Sequence, residues 1–262
     1  MNNVGAATRV VGDEQLLRYS RQIFLPEVDV DGQNRLLNSR VLVMGMGGLG
    51  SPIAIYLATS GVGHLVIVDP DQVELSNLQR QIVHSTDSLG EEKVLSAART
   101  LRALNPDVDV QTFNHVLDEQ ALLKEVARAD VVVDGTDNFE ARFAINRACV
   151  AARKPLVSGA VVRLEGQVSV FRLDNPESPC YACLYQDIAE PPRNCSQSGV
   201  LGSVAGIVGC IQATETIKLL LAFGETLAGR LMLVDARSMD WHMVALKKDP
   251  RCPVCGNPEQ PD

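Results

Sequence analysis

Apolar residues come along this chain in short unbroken blocks, separated by longer stretches of helical spacing. Val41–Met44, Leu65–Val68 and the run from Asp130 to Asp134 are continuous enough to read as strands covered on both faces. Val108 to Phe113 and Pro155 to Ala160 read as two more. Between them, helices are predicted from Gly50 onward, over Glu91 to Leu104, over Asp118 to Val126 and over Phe139 to Arg153. This alternation predicts a Rossmann-like α/β fold, a mostly parallel sheet with helices on both faces. Ahead of it, Asp13 to Phe24 predicts a helix capped at Asp13, with Leu16, Leu17, Tyr19 and Ile23 on its apolar side.

After Arg163 the pattern changes. Gln167 to Leu173 alternates polar and apolar like a strand wet on one side. A Pro-, Asn- and Ser-rich loop follows Cys183, then a long apolar helix over Gly199 to Leu221, and two strands at Arg230 to Asp235 and Trp241 to Leu246. The expectation is one domain over 1–262: N-terminal helices (1–40), a nucleotide-binding core (41–162), and a partner-binding and metal-binding part (163–262) with antiparallel strands.

With 262 residues and 46% hydrophobic content, the chain can bury a full core. A net charge of −8 argues against a nucleic-acid partner, since phosphate backbones select surfaces rich in Lys and Arg. The opening residues lack a cationic segment followed by an apolar one, so neither a signal peptide nor an anchor is expected and the location expected is cytoplasmic. Gln212, Glu215 and Lys218 interrupt the longest apolar stretch, which points to a buried helix and away from a membrane span.

The chemistry concentrates between Arg40 and Lys93. The first strand runs into GMGGLG, where Gly45, Gly47 and Gly48 form the turn and Gly50 opens a helix, so backbone N–H groups and a positive helix terminus face one point. That is an anion site. About twenty residues on, Asp69 ends the second strand, placed to accept hydrogen bonds from ribose hydroxyls. The loop and Asp69 alone are equally compatible with an NAD-dependent oxidoreductase. The run SNLQRQ and Lys93 change that balance, because Asn77, Arg80, Gln81 and Lys93 can cluster and a triphosphate needs cations a dinucleotide does not. Each is otherwise a solvated surface group. At the same sheet edge, VVVDGTDN brings Asp134 and Asp137, either of which can hold Mg²⁺ alongside phosphate oxygens; Asp137 or Asn138 can equally cap the next helix.

Of seven cysteines, four form two C-x-x-C pairs, Cys180/Cys183 and Cys252/Cys255, the thiolate set of a closed structural Zn²⁺ site. Cys149 and Cys210 lie in apolar helical stretches, whereas Cys195 stands in the polar loop NCSQSG as a candidate nucleophile.

Taken in order, RYSRQI (Arg18 to Ile23), GMGGLG, DPDQVELSNLQRQ (Asp69 to Gln81), Lys93, GTDN (Gly135 to Asn138) and both cysteine pairs resemble the ubiquitin-activating-type adenylyltransferases of the MoeB/ThiF family across nearly the whole chain. The resemblance implies an ATP pocket formed by the glycine loop, by Asp69 and Asp71, by Ser76, Asn77, Leu78, Gln79 and Arg80, by Lys93, and by Asp137 and Asn138. It implies a homodimer in which Arg21 enters the partner's phosphate site, and a cysteine at Cys195 that is covalently engaged in some members and dispensable in others. It implies ATP-dependent adenylylation of the C-terminal glycine carboxylate of a small ubiquitin-like sulfur carrier, MoaD-like or ThiS-like and ending in Gly-Gly. The pathway is then molybdenum cofactor or thiamine biosynthesis, with sulfur from a separate donor protein. The third alternative is a ubiquitin-like-protein binder without catalysis.

Overall fold

The computed structural model describes residues 8–185 and 199–256. Its centre is an eight-stranded sheet in the order β3-β2-β1-β4-β5-β6-β7-β8. The first five are β1 (Arg40–Met44), β2 (His64–Val68), β3 (Asp109–Phe113), β4 (Val131–Asp134) and β5 (Leu156–Val162). They run parallel. β6 (Glu165–Phe171), β7 (Arg230–Asp235) and β8 (Asp240–Ala245) continue the sheet antiparallel. The mostly parallel core with an antiparallel extension follows the sequence reading.

Alternation along each strand sorts side chains into two cores. Val41, Val43, Leu65 and Ile67 pack on one face with Leu36, Ile53, Leu57 and Leu101, while Leu42, Met44, Val66 and Val68 pack on the other with Leu122, Val126 and Ile145. A strand buried on both faces has no reason to alternate, hence the continuous apolar runs. The helices supplying the two layers are α3 (Asp29–Asn38), α4 (Gly50–Thr59), α5 (Lys93–Leu104), α6 (Glu119–Arg128) and α7 (Phe139–Ala152). Asp118 and Asn138 cap α6 and α7, each carboxyl or amide oxygen accepting from the N–H three residues on, at 2.8 and 2.9 Å.

The N-terminal helix departs from the reading. It breaks at Tyr19 into α1 (Asp13–Arg18) and α2 (Ser20–Ile23). The cause is the Tyr19 side chain, which turns inward beneath Gly61 while its hydroxyl accepts a 2.8 Å hydrogen bond from Asn105. The cap is Gly12 and not Asp13: the Gln15 side chain accepts from the Gly12 N–H at 3.1 Å. Leu17 and Phe24 are exposed.

α8 (Tyr181–Leu184) is a single turn, and α9 (Gly202–Leu221) is the one described helix long and apolar enough to cross a membrane. It is a core helix. Its Gln212 donates to the Asp134 carbonyl at 2.7 Å, and buried Glu215 accepts from the Leu227 N–H at 2.7 Å and from Lys218 at 2.5 Å. Close packing depends on small residues: a Cβ on Gly209 would meet Pro52 Cγ at 2.5 Å and the Leu49 carbonyl at 2.7 Å. Replacing Gly209→Ala should therefore overpack the α4/α9 contact and cost roughly 1–3 kcal/mol. Urea denaturation should show a lower midpoint at an unchanged slope.

Candidate active site

The strand order reverses between β1 and β4, and a cleft of about 340 Å³ opens there at the C-terminal ends of the strands. Its first wall is the glycine loop. Gly45 adopts φ +90°, and a Cβ there would sit 2.9 Å from the Gly135 carbonyl. The α carbon of Gly50 lies so close to the Gly45 carbonyl that any side chain would collide, at 1.8 Å. This compression points the loop's backbone into the cleft at the α4 N-terminus, where the N–H groups of Gly47 and Gly48 have no partner among the described residues.

Asp69 is buried at the end of β2. One carboxylate oxygen accepts from the Met46 N–H at 2.7 Å and the other from the Asp71 N–H at 2.9 Å. Burial pushes its carboxyl above the usual range, against the opposing pull of Lys93 and of those two N–H groups. Lys93 is itself buried, its ammonium 2.7 Å from Asp71 and 3.8 Å from Asp69. Arg80 lines the same cleft, held by its own turn: its guanidinium donates to the Ser76 carbonyl at 3.1 Å and to Asn77 Oδ1 at 3.0 Å.

Across the cleft, the turn after β4 separates two aspartates that the sequence left equivalent. Asp134 is buried and occupied, one oxygen accepting from the Thr136 N–H at 2.9 Å and hydroxyl at 2.6 Å, the other from Ser158 at 3.1 Å. Asp137 is exposed at the cleft wall, and Asn138 serves as cap.

Gly45, Gly47, Gly48, Asp69, Asp71, Arg80, Lys93, Asp137 and Asn138 thus border one cavity. Ser76, Asn77, Leu78, Gln79 and Gly50 do not line it; the first two orient Arg80, and the Gln79 carbonyl packs against Gly202. Arg21 is exposed on α2 and also stands apart from the cleft's lining. Cys195 lies outside the described residues. Sequence reasoning missed the apolar part of the cleft: Leu122, Ala141 and Ile145, whose only signal is apolar spacing shared with any core helix, and Val116 and Leu117, which lie in the loop after β3. It also missed Arg142, a buried cation on the same wall.

The four paired cysteines meet, with every sulfur within 4.8 Å of every other. Cys180 and Cys252 sulfurs are 3.7 Å apart, and Cys183 and Cys255 3.4 Å. A tetrahedron of about 2.3 Å zinc–sulfur bonds has edges of about 3.8 Å, so the spacing suits zinc, and it is far too long for disulfides. Cys183 is drawn down to about 4, first by the Cys180 thiol's hydrogen bond and then by the backbone N–H groups of Asp249 and Cys180, against the cost of burial. A ready thiolate is what a metal requires.

A family model described as the ThiF family matches residues 19–254. The chain belongs to the ThiF family. It is 50% identical over 244 residues to the SAMP-activating enzyme E1 of Haloferax volcanii, covering 92% of this chain and 89% of that one. It is 48% identical over 247 residues to the sulfur carrier protein ThiS adenylyltransferase of Escherichia coli, covering 94% and 97%. It is 43% identical to that organism's molybdopterin-synthase adenylyltransferase, covering 94% and 98%. Among solved structures, E. coli MccB with ATP superposes at a TM-score of 0.79 and 26% identity, over 95% of this chain and 77% of that chain.

Two outcomes follow. Metal analysis should find one zinc per chain; Cys252→Ser should lose it and lower the melting midpoint by several degrees. The second concerns buried His84, whose Nε2 lies 3.0 Å from the Met46 carbonyl and so must carry the proton, leaving Nδ1 to accept from Ser96 at 2.9 Å. Burial lowers its pKa below the ordinary value. The unfolded chain therefore takes up a second ring proton, at Nδ1, more readily, so the contribution of His84 is complete above about pH 6.5 and lost as pH falls below it. Urea midpoints measured between about pH 7.5 and 5.5 should fall less steeply for His84→Gln than for the parent.

Proposed function

We propose that this chain adenylylates the C-terminal carboxylate of a ubiquitin-like sulfur carrier, using ATP and releasing pyrophosphate. The observation that carries this reading is the gathering of Arg80, Lys93, the glycine-loop N–H groups and Asp137 around a single cleft beside Asp69. Family membership and the activities in the names of three close relatives point the same way.

In this reading ribose hydroxyls hydrogen-bond to Asp69, the base lies against Val116, Leu117, Leu122 and Ile145, and the phosphates run along the glycine loop toward Arg80 and Lys93. A carrier carboxylate is already ionised at neutral pH, so no general base is required. One of its oxygens attacks the α-phosphorus, the bond from that phosphorus to the bridging oxygen breaks, and pyrophosphate leaves with the electron pair. The products are an acyl-adenylate and pyrophosphate. The chain's contribution is alignment and neutralisation of phosphate charge. Asp137, exposed at the cleft wall, is the carboxylate suited to hold Mg²⁺, which when bound screens phosphate charge.

The remaining assignments belong to the same reading. Arg21, outside its own cleft and exposed, is assigned to a neighbouring subunit's phosphate site in a homodimer. The carrier is assigned to the 163–262 part, where the edge strand β8 is exposed throughout and presents Trp241, Met243 and Val244 beside an unpaired backbone edge. Cys195 is a candidate covalent partner for carrier or sulfur donor, a separate protein supplies the sulfur, and the setting is cytoplasmic. An NAD-linked oxidoreductase would need only the glycine loop for its pyrophosphate, leaving Arg80 and Lys93 with less charge to meet than a triphosphate supplies.

Pyrophosphate exchange into ATP tests the reading. Exchange should require a carrier ending in Gly-Gly, with MoaD-like and ThiS-like carriers tried in turn, and Arg80→Ala or Asp137→Ala should each reduce it by at least ~100-fold with the fold intact. Exchange that ignores the carrier, or tighter binding of NAD than of ATP, would sink it.

A further inference from the structure

The reaction above gives no part to one buried cation at the cleft, Arg142. Arg142 lies one turn into α7, is 8% exposed, and lines the cleft wall directly beneath the Gly135–Asn138 turn. A buried guanidinium is costly unless its surroundings need it. Three contacts describe what it meets. One terminal nitrogen donates a 2.7 Å hydrogen bond to the Thr136 carbonyl. Its central carbon stands 5.6 Å from the Phe139 ring centroid, a cation–π distance. Its third neighbour is the buried Tyr181 hydroxyl, which interacts with the guanidinium while its Nε stays outside strict hydrogen-bond geometry. Burial alone would lower its pKa, but Asp134 and Tyr181 more than offset this, so the side chain is a permanent cation.

Thr136 is the residue next to Asp137, and its N–H and hydroxyl are both committed to Asp134. The turn is therefore gripped from two sides, by the Asp134 carboxylate on its N–H side and by Arg142 on its carbonyl side. Fixing that carbonyl fixes the peptide plane that leads directly into Asp137. The 2.7 Å hydrogen bond of this guanidinium goes to the backbone of the cleft turn and not to a core side chain.

We propose that Arg142 is a positioning residue for nucleotide binding, acting through the Thr136 carbonyl to set where the Asp137 carboxylate stands opposite Lys93 and Arg80. This rests on the nucleotide reading of the cleft. It predicts a dependence that general destabilisation does not: once the Asp137 carboxylate is removed, Arg142 has nothing left to position.

The test is a double-mutant cycle read by calorimetric titration with the magnesium complex of a non-hydrolysable ATP analogue, which needs no carrier. Arg142→Met should weaken binding roughly tenfold in the parent and less than about twofold in the Asp137→Asn background, while lowering the melting midpoint equally in both. Arg142→Lys, which keeps the charge and reaches one acceptor, should restore part of the loss; it replaces the Met variant in the cycle should that one fail to fold. Equal weakening in both backgrounds, or none in a folded variant, overturns the proposal while leaving the nucleotide reading intact. Failure of the parent chain to bind the analogue overturns both.

Discussion

Everything at this site depends on one close approach: the turn after β1 and the turn after β4 lie backbone against backbone, with Gly45 and Gly50 packed on the Gly135 peptide. A Cβ on Gly45 would stand 2.9 Å from the Gly135 carbonyl, and one on Gly135 3.1 Å from the Gly50 nitrogen. No side chain fits between them. Two parallel strands whose connections leave in opposite directions create a crevice, and contact between their ends keeps that crevice narrow. With no side chains in the way, the loop's N–H groups can face an anion directly, and the α4 dipole points along the same line.

The charges placed around this frame are held by backbone more than by each other. Asp69 is fixed by two N–H groups and Arg80 by a carbonyl of its own turn, while the Thr136 N–H belongs to Asp134. Backbone-held charges stay put in the absence of ligand, the preorganisation that electrostatic stabilisation of a reacting phosphate needs. Lys93 is the exception, paired with the Asp71 carboxylate at 2.7 Å. Asp71 is exposed at its side chain whereas Lys93 is not, so a phosphate bound as proposed would compete for Lys93 with a partner that is easily resolvated.

The parallel core was legible because its strands are buried on both faces and its helices are amphipathic; Leu65–Val68 and Asp118–Val126 needed no tertiary information. The glycine loop and Asp69 were legible because their chemistry is tied to fixed spacing. What the sequence hid was orientation. Asp134 and Asp137 are three residues apart with the same side chain, and only the fold turns one inward to Thr136 and Ser158 and the other toward the cleft. Helices were expected across 1–40, but α3 could not be given bounds because DVDGQNRLLN carries Gly, Asn and Asp, weak helix formers, yet buries Gln33, Leu36 and Leu37. The break at Tyr19 was hidden for a related reason, since the partners that draw its ring inward, Gly61 and Asn105, lie far along the chain.

The cleft and the four-cysteine cluster look separate in sequence but share one helix. At its first turn α7 carries Asn138, the cap at the cleft edge; one turn on it carries Arg142, and one more turn brings Ile145 and Asn146. The Asn146 oxygen accepts from the Tyr181 N–H at 2.9 Å, and its amide nitrogen lies 3.6 Å from the Cys180 sulfur. Tyr181 stacks edge-on against Phe143 and Phe171 between the two regions. A helix is stiff along its axis and aromatic contacts of this kind have few alternative packings. Tyr181, held against α7 by Asn146, thus links the four-cysteine cluster to the helix whose first two turns form the cleft wall.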